Sequence, residues 1–212
     1  MSKARIVPAI LTADPAELEK MVRQAETFTE FVQIDIMDGK FVPSQSINWE
    51  DVASIKPRIG WEAHLMVEQP EEYLPGFRKA GAGKVIFHYE ATDSPQAAIA
   101  GIKKLGMEAG LAVNPETPVA SILPLLDGLD SMLFMSVIPG FYGSKFIPEV
   151  LDKVSELRSR SDILTGIDGG INQSNINRVA GSGVDYICVG SAVFLQPQPA
   201  ASFRRLESLI RG

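Results

Sequence analysis

Short apolar runs rich in β-branched residues alternate with longer amphipathic stretches from one end of the chain to the other. The short runs have the length and composition of buried strands, and the longer ones carry apolar residues at helical spacing. Strands are predicted to begin near Ile6, Val32, Trp61, Val85, Glu108, Met132, Ile163 and Tyr186. Helices are predicted over residues 15–27, 49–55, 70–80, 95–105, 118–126, 146–158, 173–180 and 199–210. Such alternation is typical of a parallel sheet whose strands are joined by helical crossovers.

The number of strand–helix units decides between the two common parallel-sheet architectures. Eight units fill the 212 residues without a long linker or a change of composition. An open doubly wound sheet of the flavodoxin type needs only about five units, whereas eight close into a TIM barrel. We therefore expect an α/β fold, a (β/α)8 TIM barrel, with residues 1–212 forming a single domain.

Composition and charge exclude several classes of function. Twenty Lys and Arg residues against 26 Asp and Glu residues give a net charge of −6, which argues against a broad surface for nucleic acid or anionic membrane. No stretch reaches the roughly 18 apolar residues of a membrane helix, and the first five residues lack the apolar run of a signal peptide. The single cysteine, Cys188, cannot form an internal disulfide. We expect a cytoplasmic protein with no nucleic acid and no membrane as partner.

The polar residues that carry candidate chemistry lie towards the ends of predicted strands. Side chains alternate between the two faces of a strand, so every second residue points into the barrel. The residues predicted to share an inner face are Gln33, Asp35 and Met37 in the second strand, Glu62, His64 and Met66 in the third, and Leu164, Gly166 and Asp168 in the seventh. Barrel enzymes place their active sites at the C-terminal ends of strands. We therefore expect Asp35, His64 and Asp168 to converge at the barrel mouth.

Asp35, His64 and Asp168 suit two kinds of chemistry at that mouth. Two carboxylates and an imidazole can coordinate a divalent metal ion, Zn²⁺ or an ion like Mn²⁺, Fe²⁺ or Co²⁺, and leave positions open for substrate. Two carboxylates on opposite sides of a substrate carbon can also remove a proton from one face and return one to the other. Taken singly, either aspartate would be interpreted as a cap or loop acceptor and His64 as a core histidine. Three at equivalent positions favour a functional site.

Glycine-bearing segments follow the sixth, seventh and eighth predicted strands. Glycine lets backbone N–H groups approach an anion closely, and the last loops of such barrels commonly bind phosphate. One such loop would be weak evidence, because turns need glycine anyway, but three on neighbouring strands predict a phosphate site. Its candidate residues are Gly140, Phe141, Tyr142 and Gly143, then Gly169 and Gly170, and finally Gly190 and Ser191.

Methionines and a second histidine also end strands near this mouth. Met37, Met66 and Met135 are interpreted by default as core residues, with a soft apolar lid over the reacting carbon as the alternative. His88, at the end of the fourth strand, either serves the site as a partner or substrate contact or is a packed, hydrogen-bonded histidine, and the sequence favours neither interpretation. If the methionines form such a lid, Met37 and Met66 join His64 as candidate substrate contacts.

Several of these segments, in this order, resemble the ribulose-phosphate 3-epimerase family. The matches lie at residues 8–14, 33–43, 64–66, 88–91, 114–118, 135–141, 168–170 and 190–192, and so extend over nearly the whole chain. The most specific are Met37-Asp38-Gly39-Lys40-Phe41-Val42-Pro43 and His64-Leu65-Met66. The resemblance implies a barrel that interconverts D-ribulose 5-phosphate and D-xylulose 5-phosphate through an enediolate.

The same resemblance implies roles for individual residues. Asp35 corresponds to the family's proton acceptor and Asp168 to its proton donor, and both also ligate a metal ion together with His64. The glycine-bearing loops correspond to substrate and phosphate contacts. The partners implied are a phosphorylated ketose as substrate and further copies of the chain, as a homo-oligomer.

Four positions depart from the family pattern. Gln33 stands where the family has a metal-binding histidine, and Ala9 where it has a substrate-binding serine. Lys40 replaces a common second histidine, and Tyr142 interrupts the usual glycine-rich phosphate loop. Because a glutamine oxygen is a weaker ligand than imidazole for zinc-like ions, Gln33 is at most a weak fourth ligand.

Two alternatives to an epimerase stay open on the sequence. The losses at Gln33 and Ala9 would suit a catalytically silent barrel that binds a sugar phosphate, although such a protein has no evident need for two opposed carboxylates. A decarboxylase or aldolase of the same phosphate-binding barrel group is the other alternative. Met37 stands where those relatives carry a lysine after the first aspartate of their strand motif, which counts against it.

Overall fold

The computed structural model describes residues 4–140 and 144–211. Within them, eight parallel strands close into a barrel, each paired with the next along the chain and the last with the first. The strands are β1 Arg5–Ile10, β2 Phe31–Met37, β3 Gly60–Met66, β4 Lys84–His88, β5 Glu108–Val113, β6 Ser131–Met135, β7 Leu164–Asp168 and β8 Tyr186–Val189. The (β/α)8 barrel predicted from the alternation of apolar runs is thereby confirmed.

Helices connect the strands on the outside of the barrel. They are α1 Pro15–Ala25, α2 Trp49–Ile55, α3 Leu74–Ala80, α4 Pro95–Lys104, α5 Val119–Ile122, α6 Val150–Arg158, α7 Ile176–Ala180, α8 Ser191–Phe194 and α9 Pro199–Arg211. Short 3₁₀ segments lie at Pro70–Glu72, Tyr89–Ala91 and Leu123–Gly128. None of the helices in the described part of the chain is long and apolar enough to cross a membrane.

Two predicted helices are each divided in the structure, and prolines explain both. The stretch 70–80 becomes a 3₁₀ turn followed by α3, which has Pro75 in its first turn. The stretch 118–126 becomes α5 followed by a 3₁₀ segment that begins next to Pro124. A proline has no N–H to donate to a preceding turn, so a single continuous α-helix is unfavourable across these positions. The short helix α8, directly after β8, was not predicted.

The alternation within the strands separates two packed layers. Val32, Ile34 and Ile36 of β2 are buried against the helices, while Gln33 and Asp35 point into the barrel and bond to side chains from other strands. This is the orientation predicted for β2. The barrel interior is therefore lined by alternate residues of each strand, and the polar ones among them lie where water is largely excluded.

The lower interior, towards the N-terminal ends of the strands, is filled by an ion pair and an aromatic ring. Lys84 Nζ lies 2.9 Å from Glu62 Oε2, and both side chains are buried. The same ammonium lies 4.9 Å from the centre of the Tyr186 ring. A side chain at Gly166 would collide with that ring, so glycine is required there to let Tyr186 cross the barrel. This packed floor supports the polar cluster above it.

Candidate active site and metal centre

The barrel brings Asp35, His64 and Asp168 together at its C-terminal end. Asp35 and His64 are direct neighbours in the pairing of β2 with β3, and Asp168 ends β7. His64 Nδ1 lies 3.0 Å from Asp35 Oδ1 and 3.6 Å from Asp168 Oδ2. One ligand atom from each residue lies within 4.8 Å of the other two. All three side chains are buried, so their interactions are only weakly screened by solvent.

Gln33 occupies the space between these three side chains. Its Nε2 donates to Asp35 Oδ1 at 2.9 Å and to Asp168 Oδ2 at 2.6 Å, and lies 3.4 Å from His64 Nδ1. Its Oε1 faces the other way and accepts from the Cys188 thiol at 3.1 Å. An ionised carboxylate can only accept hydrogen bonds, so the amide turns its nitrogen towards the two aspartates. Gln33 thus bridges them as a donor, whereas a weak metal ligand would present its oxygen.

The donor set of Asp35, His64 and Asp168 fits a divalent metal ion. Two carboxylate oxygens and one imidazole nitrogen are a usual combination for Zn²⁺ and similar ions. Gln33 Nε2 lies within 3.4 Å of all three donor atoms. A cation bound to these atoms would therefore take the place of the Gln33 amide nitrogen, and that side chain would have to withdraw or turn its oxygen inward.

Burial shifts the protonation of this cluster towards neutral forms. It raises the pKa of Asp35 to about 7, an effect that the hydrogen bond from Gln33 only partly offsets. Burial and the charge of Asp35 together raise the pKa of Asp168 to about 6. Burial lowers the pKa of His64, against the attraction of Asp168. Groups that change protonation near neutral pH are well suited to accept and donate protons.

Two serines that the sequence reasoning did not single out hold the strand ends that carry the aspartates. The Ser46 hydroxyl donates to the Asp35 carbonyl oxygen at 2.9 Å and accepts from the Met37 N–H at 2.8 Å. The Ser136 hydroxyl lies 2.9 Å from the Asp168 carbonyl oxygen and 2.7 Å from that of Gly169. Ser136 directly follows β6, and a small polar residue at the end of a barrel strand is the signal that could have revealed it.

A cavity open to solvent leads to the two aspartates. Among the described residues, its wall carries no Lys or Arg. The predicted site residues on the wall include Met37, Met66, Gly140, Gly169, Gly170, Gly190 and Ser191. Met135 and Ala9, one of the positions that depart from the family pattern, also lie on it. Phe141, Tyr142 and Gly143 lie outside the described residues. The wall is therefore apolar near the methionines and formed by backbone near the glycines.

Gly170 shows why glycine is needed in one of these loops. Its φ is +64°, and a Cβ there would lie 2.8 Å from the Phe146 nitrogen and 2.9 Å from the Ser144 carbonyl oxygen. A larger residue would force the segment after β6 away from the segment after β7. Asn175 fixes the same turn by donating to the Gly170 carbonyl oxygen at 3.0 Å.

The remaining two positions of interest lie away from the cavity wall. His88 is fully buried, and its Nε2 lies 3.0 Å from Nε2 of His64. Burial lowers the pKa of His88 to about 4, so its ring is neutral near neutral pH. His88 is thus packed and lies within hydrogen-bond distance of His64, which is compatible with either role left open by the sequence, and it is not among the residues of the cavity wall. Lys40 is exposed in the loop after β2.

Comparison with known proteins identifies the family. Curated ribulose-phosphate 3-epimerases match over most of their length: that of Mycobacterium bovis is 41% identical over 209 residues, covering 95% of this chain and 91% of the relative. That of Bacillus subtilis is 38% identical over 217 residues, covering 98% of each. The crystal structure of 3-hexulose-6-phosphate synthase from Salmonella typhimurium is similar in fold alone, with a TM-score of 0.75, 18% identity and 98% of each chain covered. Since the family model for ribulose-phosphate 3 epimerases also matches residues 5–194, the chain belongs to the ribulose-phosphate 3-epimerase family.

Proposed function

We propose that the protein interconverts D-ribulose 5-phosphate and D-xylulose 5-phosphate, with Asp35 and Asp168 as the two proton-transferring groups. The observation that carries this proposal is the placement of the two carboxylates. They come from strands separated by β1 and β8, they meet through a common donor at the cavity floor, and both line the cavity. A substrate carbon held between them would have one carboxylate on each face.

The reaction follows from that placement. Asp35 accepts the proton from carbon 3 of the ketose phosphate, which leaves an enediolate, and Asp168 delivers a proton to the opposite face of the same carbon. In the reverse direction the two side chains exchange roles. A divalent metal ion held by Asp35, His64 and Asp168 would stabilise the negative charge of the enediolate as a Lewis acid. The methionines at the cavity wall, Met37 and Met66, exclude water from the reacting carbon.

The phosphate group of the substrate is proposed to bind at the other side of the cavity. Gly170, Gly190 and Ser191 line it there, and backbone N–H groups in such loops bind phosphate without a basic side chain. Such backbone binding is consistent with the part of the cavity wall that the structure describes, which has neither Lys nor Arg. With the phosphate at these loops, the ketone end of the sugar would be directed towards Asp35, His64 and Asp168 on the same cavity wall.

One observation favours a second candidate, a catalytically silent homologue. The Gln33 amide satisfies both carboxylates without a cation, so the cluster is a complete hydrogen-bonded unit on its own. A barrel that binds a sugar phosphate without turning it over would need no more than this. Residence in the cytoplasm, a homo-oligomeric assembly and a single domain over residues 1–212 stay predictions under either function.

Elemental analysis of the purified protein, paired with an epimerisation assay on a panel of ketose phosphates with and without chelator, tests the proposal. We expect turnover of ribulose 5-phosphate, and we expect Asp35→Asn and Asp168→Asn each to reduce it by at least about a hundredfold, the usual scale for a general acid or base. Asp93→Asn, which changes an exposed aspartate, is the matched control. Near-normal turnover in either site variant would remove that residue from the mechanism. No turnover of any ketose phosphate by the wild type, with substrate binding intact, would favour the silent homologue.

A further inference from the structure

A pair of buried histidines connects the site to a second polar group, Glu90 and Asn114, which follow β4 and β5. Nε2 of His64 lies 3.0 Å from Nε2 of His88, and the two ring planes are within 18° of parallel. A neutral imidazole carries one N–H and one lone pair. For these two nitrogens to form a hydrogen bond, one must carry a proton and the other must not. The proton position on one ring therefore dictates the proton position on the other.

The far side of His88 faces acceptors. Its Nδ1 is buried without a hydrogen bond of full geometry among the described residues and lies 3.5 Å from Glu90 Oε2, and the Asn114 side chain also lies beside it. The Asn114 oxygen, Oδ1, is also buried without a hydrogen bond of full geometry in the described structure. A carboxylate oxygen and an amide oxygen both require a donor opposite them. A proton on His88 Nδ1 supplies the donor that the buried Asn114 oxygen lacks among the described residues, and it also faces the Glu90 carboxylate.

Glu90 is held in place as an ionised acceptor. Its Oε1 accepts from the Asn114 N–H at 2.9 Å and from the Thr117 hydroxyl, which leaves Oε2 directed at His88. Burial alone would raise the pKa of Glu90, but the hydrogen bonds with His88, Thr117 and the Asn114 backbone outweigh it and lower the pKa. The carboxylate is thus anchored on one side and free to accept on the other.

We propose that Glu90 and Asn114, through His88, fix the tautomer of His64 so that its Nδ1 lone pair faces the cation position between Asp35 and Asp168. With the proton of His88 on Nδ1, its Nε2 accepts from His64 Nε2–H. His64 Nδ1, which lies 3.0 Å from Asp35 Oδ1, is then unprotonated. The inference rests on the proposed function only in taking Asp35, His64 and Asp168 as metal ligands. Glu90, Asn114 and His88 are positioning residues in it.

The alternative tautomer shows what this arrangement achieves. With its proton on Nδ1, His64 would donate to Asp35 and would have to lose that proton before binding a metal ion. With its lone pair on Nδ1, His64 presents a third acceptor atom beside the oxygens of Asp35 and Asp168. These three acceptors repel one another until a cation or a hydrogen-bond donor such as the Gln33 amide lies between them. Hydrogen bonds to the outer nitrogen of a metal-bound histidine fix its tautomer in this way, and losing them costs about 10- to 100-fold in metal affinity.

The test uses nitrogen NMR on the full-length, metal-free protein. The chain has only two histidines, so two imidazole spin systems have to be assigned. We expect His64 to carry its proton on Nε2 and His88 on Nδ1 in the wild type. In Glu90→Gln the new amide can donate to His88 Nδ1, so we expect part or all of the population to move to the opposite tautomers. Glu68→Gln, the same change at an exposed glutamate, should leave both rings unchanged.

Metal titration supplies the second measurement. We expect Glu90→Gln to weaken binding of Zn²⁺ or Mn²⁺ by about tenfold or more, and His88→Phe, which removes the link while keeping a ring, to do the same. A wild-type His64 protonated on Nδ1, or unchanged tautomers in Glu90→Gln, would overturn the inference. So would wild-type metal affinity in a folded His88→Phe variant. Failure of the proposed function looks different: the tautomers would be as expected while no ketose phosphate is turned over.

Discussion

Replacing Asp35 by asparagine should stabilise the metal-free protein at alkaline pH, even though we expect it to reduce turnover by at least about a hundredfold. Burial raises the pKa of Asp35 from 3.8 to about 7. The folded state therefore holds a proton that the unfolded chain releases, and the resulting stability is fully present below about pH 4 and is lost as the pH rises through 7. Because these two pKa values differ by about three, at roughly 1.4 kcal/mol for each tenfold change in proton affinity, the stability lost is roughly 4 kcal/mol.

Asparagine keeps an oxygen for the Gln33 amide but carries no charge, so Asp35→Asn escapes this loss. Denaturant unfolding with chelator at pH 4.5 and pH 8 measures it. We expect the free energy of unfolding of the variant, relative to wild type, to rise by a few kcal/mol between the two pH values. Asp93→Asn, at an exposed position, should show a difference that does not depend on pH. A gap that stays constant, or that widens towards low pH, would refute the raised pKa.

Three further outcomes follow from the geometry of the barrel interior. Gln33→His should tighten Zn²⁺ binding by about tenfold or more in a calorimetric titration, because an imidazole nitrogen is a better metal ligand than a neutral amide. Equal affinity would show that Gln33 does not limit metal binding. Gly166→Ala should lower the free energy of unfolding by about 1–3 kcal/mol, since its Cβ would meet a buried ring. Crystals grown with sulfate or phosphate should show the anion against Gly170, Gly190 and Ser191, and an anion bound firmly elsewhere would contradict the phosphate site.

The barrel could be predicted because its determinants are local. β2 shows this most clearly: Val32, Ile34 and Ile36 alternate with polar residues, and the alternation alone assigns each side chain to the helix side or the barrel interior. Helix ends were less predictable. The apolar spacing of residues 70–80 continues through Pro75, while the hydrogen bonds of the backbone do not.

The site could be predicted only as a set of residues. Strand register and inward alternation determine that Asp35 and His64 are neighbours, but not which atom of Gln33 faces them. That orientation depends on Cys188, which offers a thiol donor from β8, and on the charge of both aspartates. The partnership of His88 with Glu90 and Asn114 likewise depends on loops after β4 and β5, whose approach no periodicity encodes.

The charges inside the barrel explain why a cation and protons compete for the same two side chains. In the described part of the chain, the buried ionisable residues other than the histidines, Cys188 and Tyr186 are Glu62, Lys84, Asp35 and Asp168. Glu62 and Lys84 pair at 2.9 Å and neutralise each other. What remains is a charge of −2 when both aspartates are ionised, in a medium where uncompensated charge is costly. A divalent cation cancels it completely. Without one, the interior can take up protons near neutral pH, because burial raises both aspartate pKa values, and the Gln33 amide can solvate the remaining charge. Removing the metal ion and lowering the pH therefore both change how the negative charge of Asp35 and Asp168 is compensated. The hydrogen bonds from Gln33 determine how much of that charge the protein can stabilise without a cation.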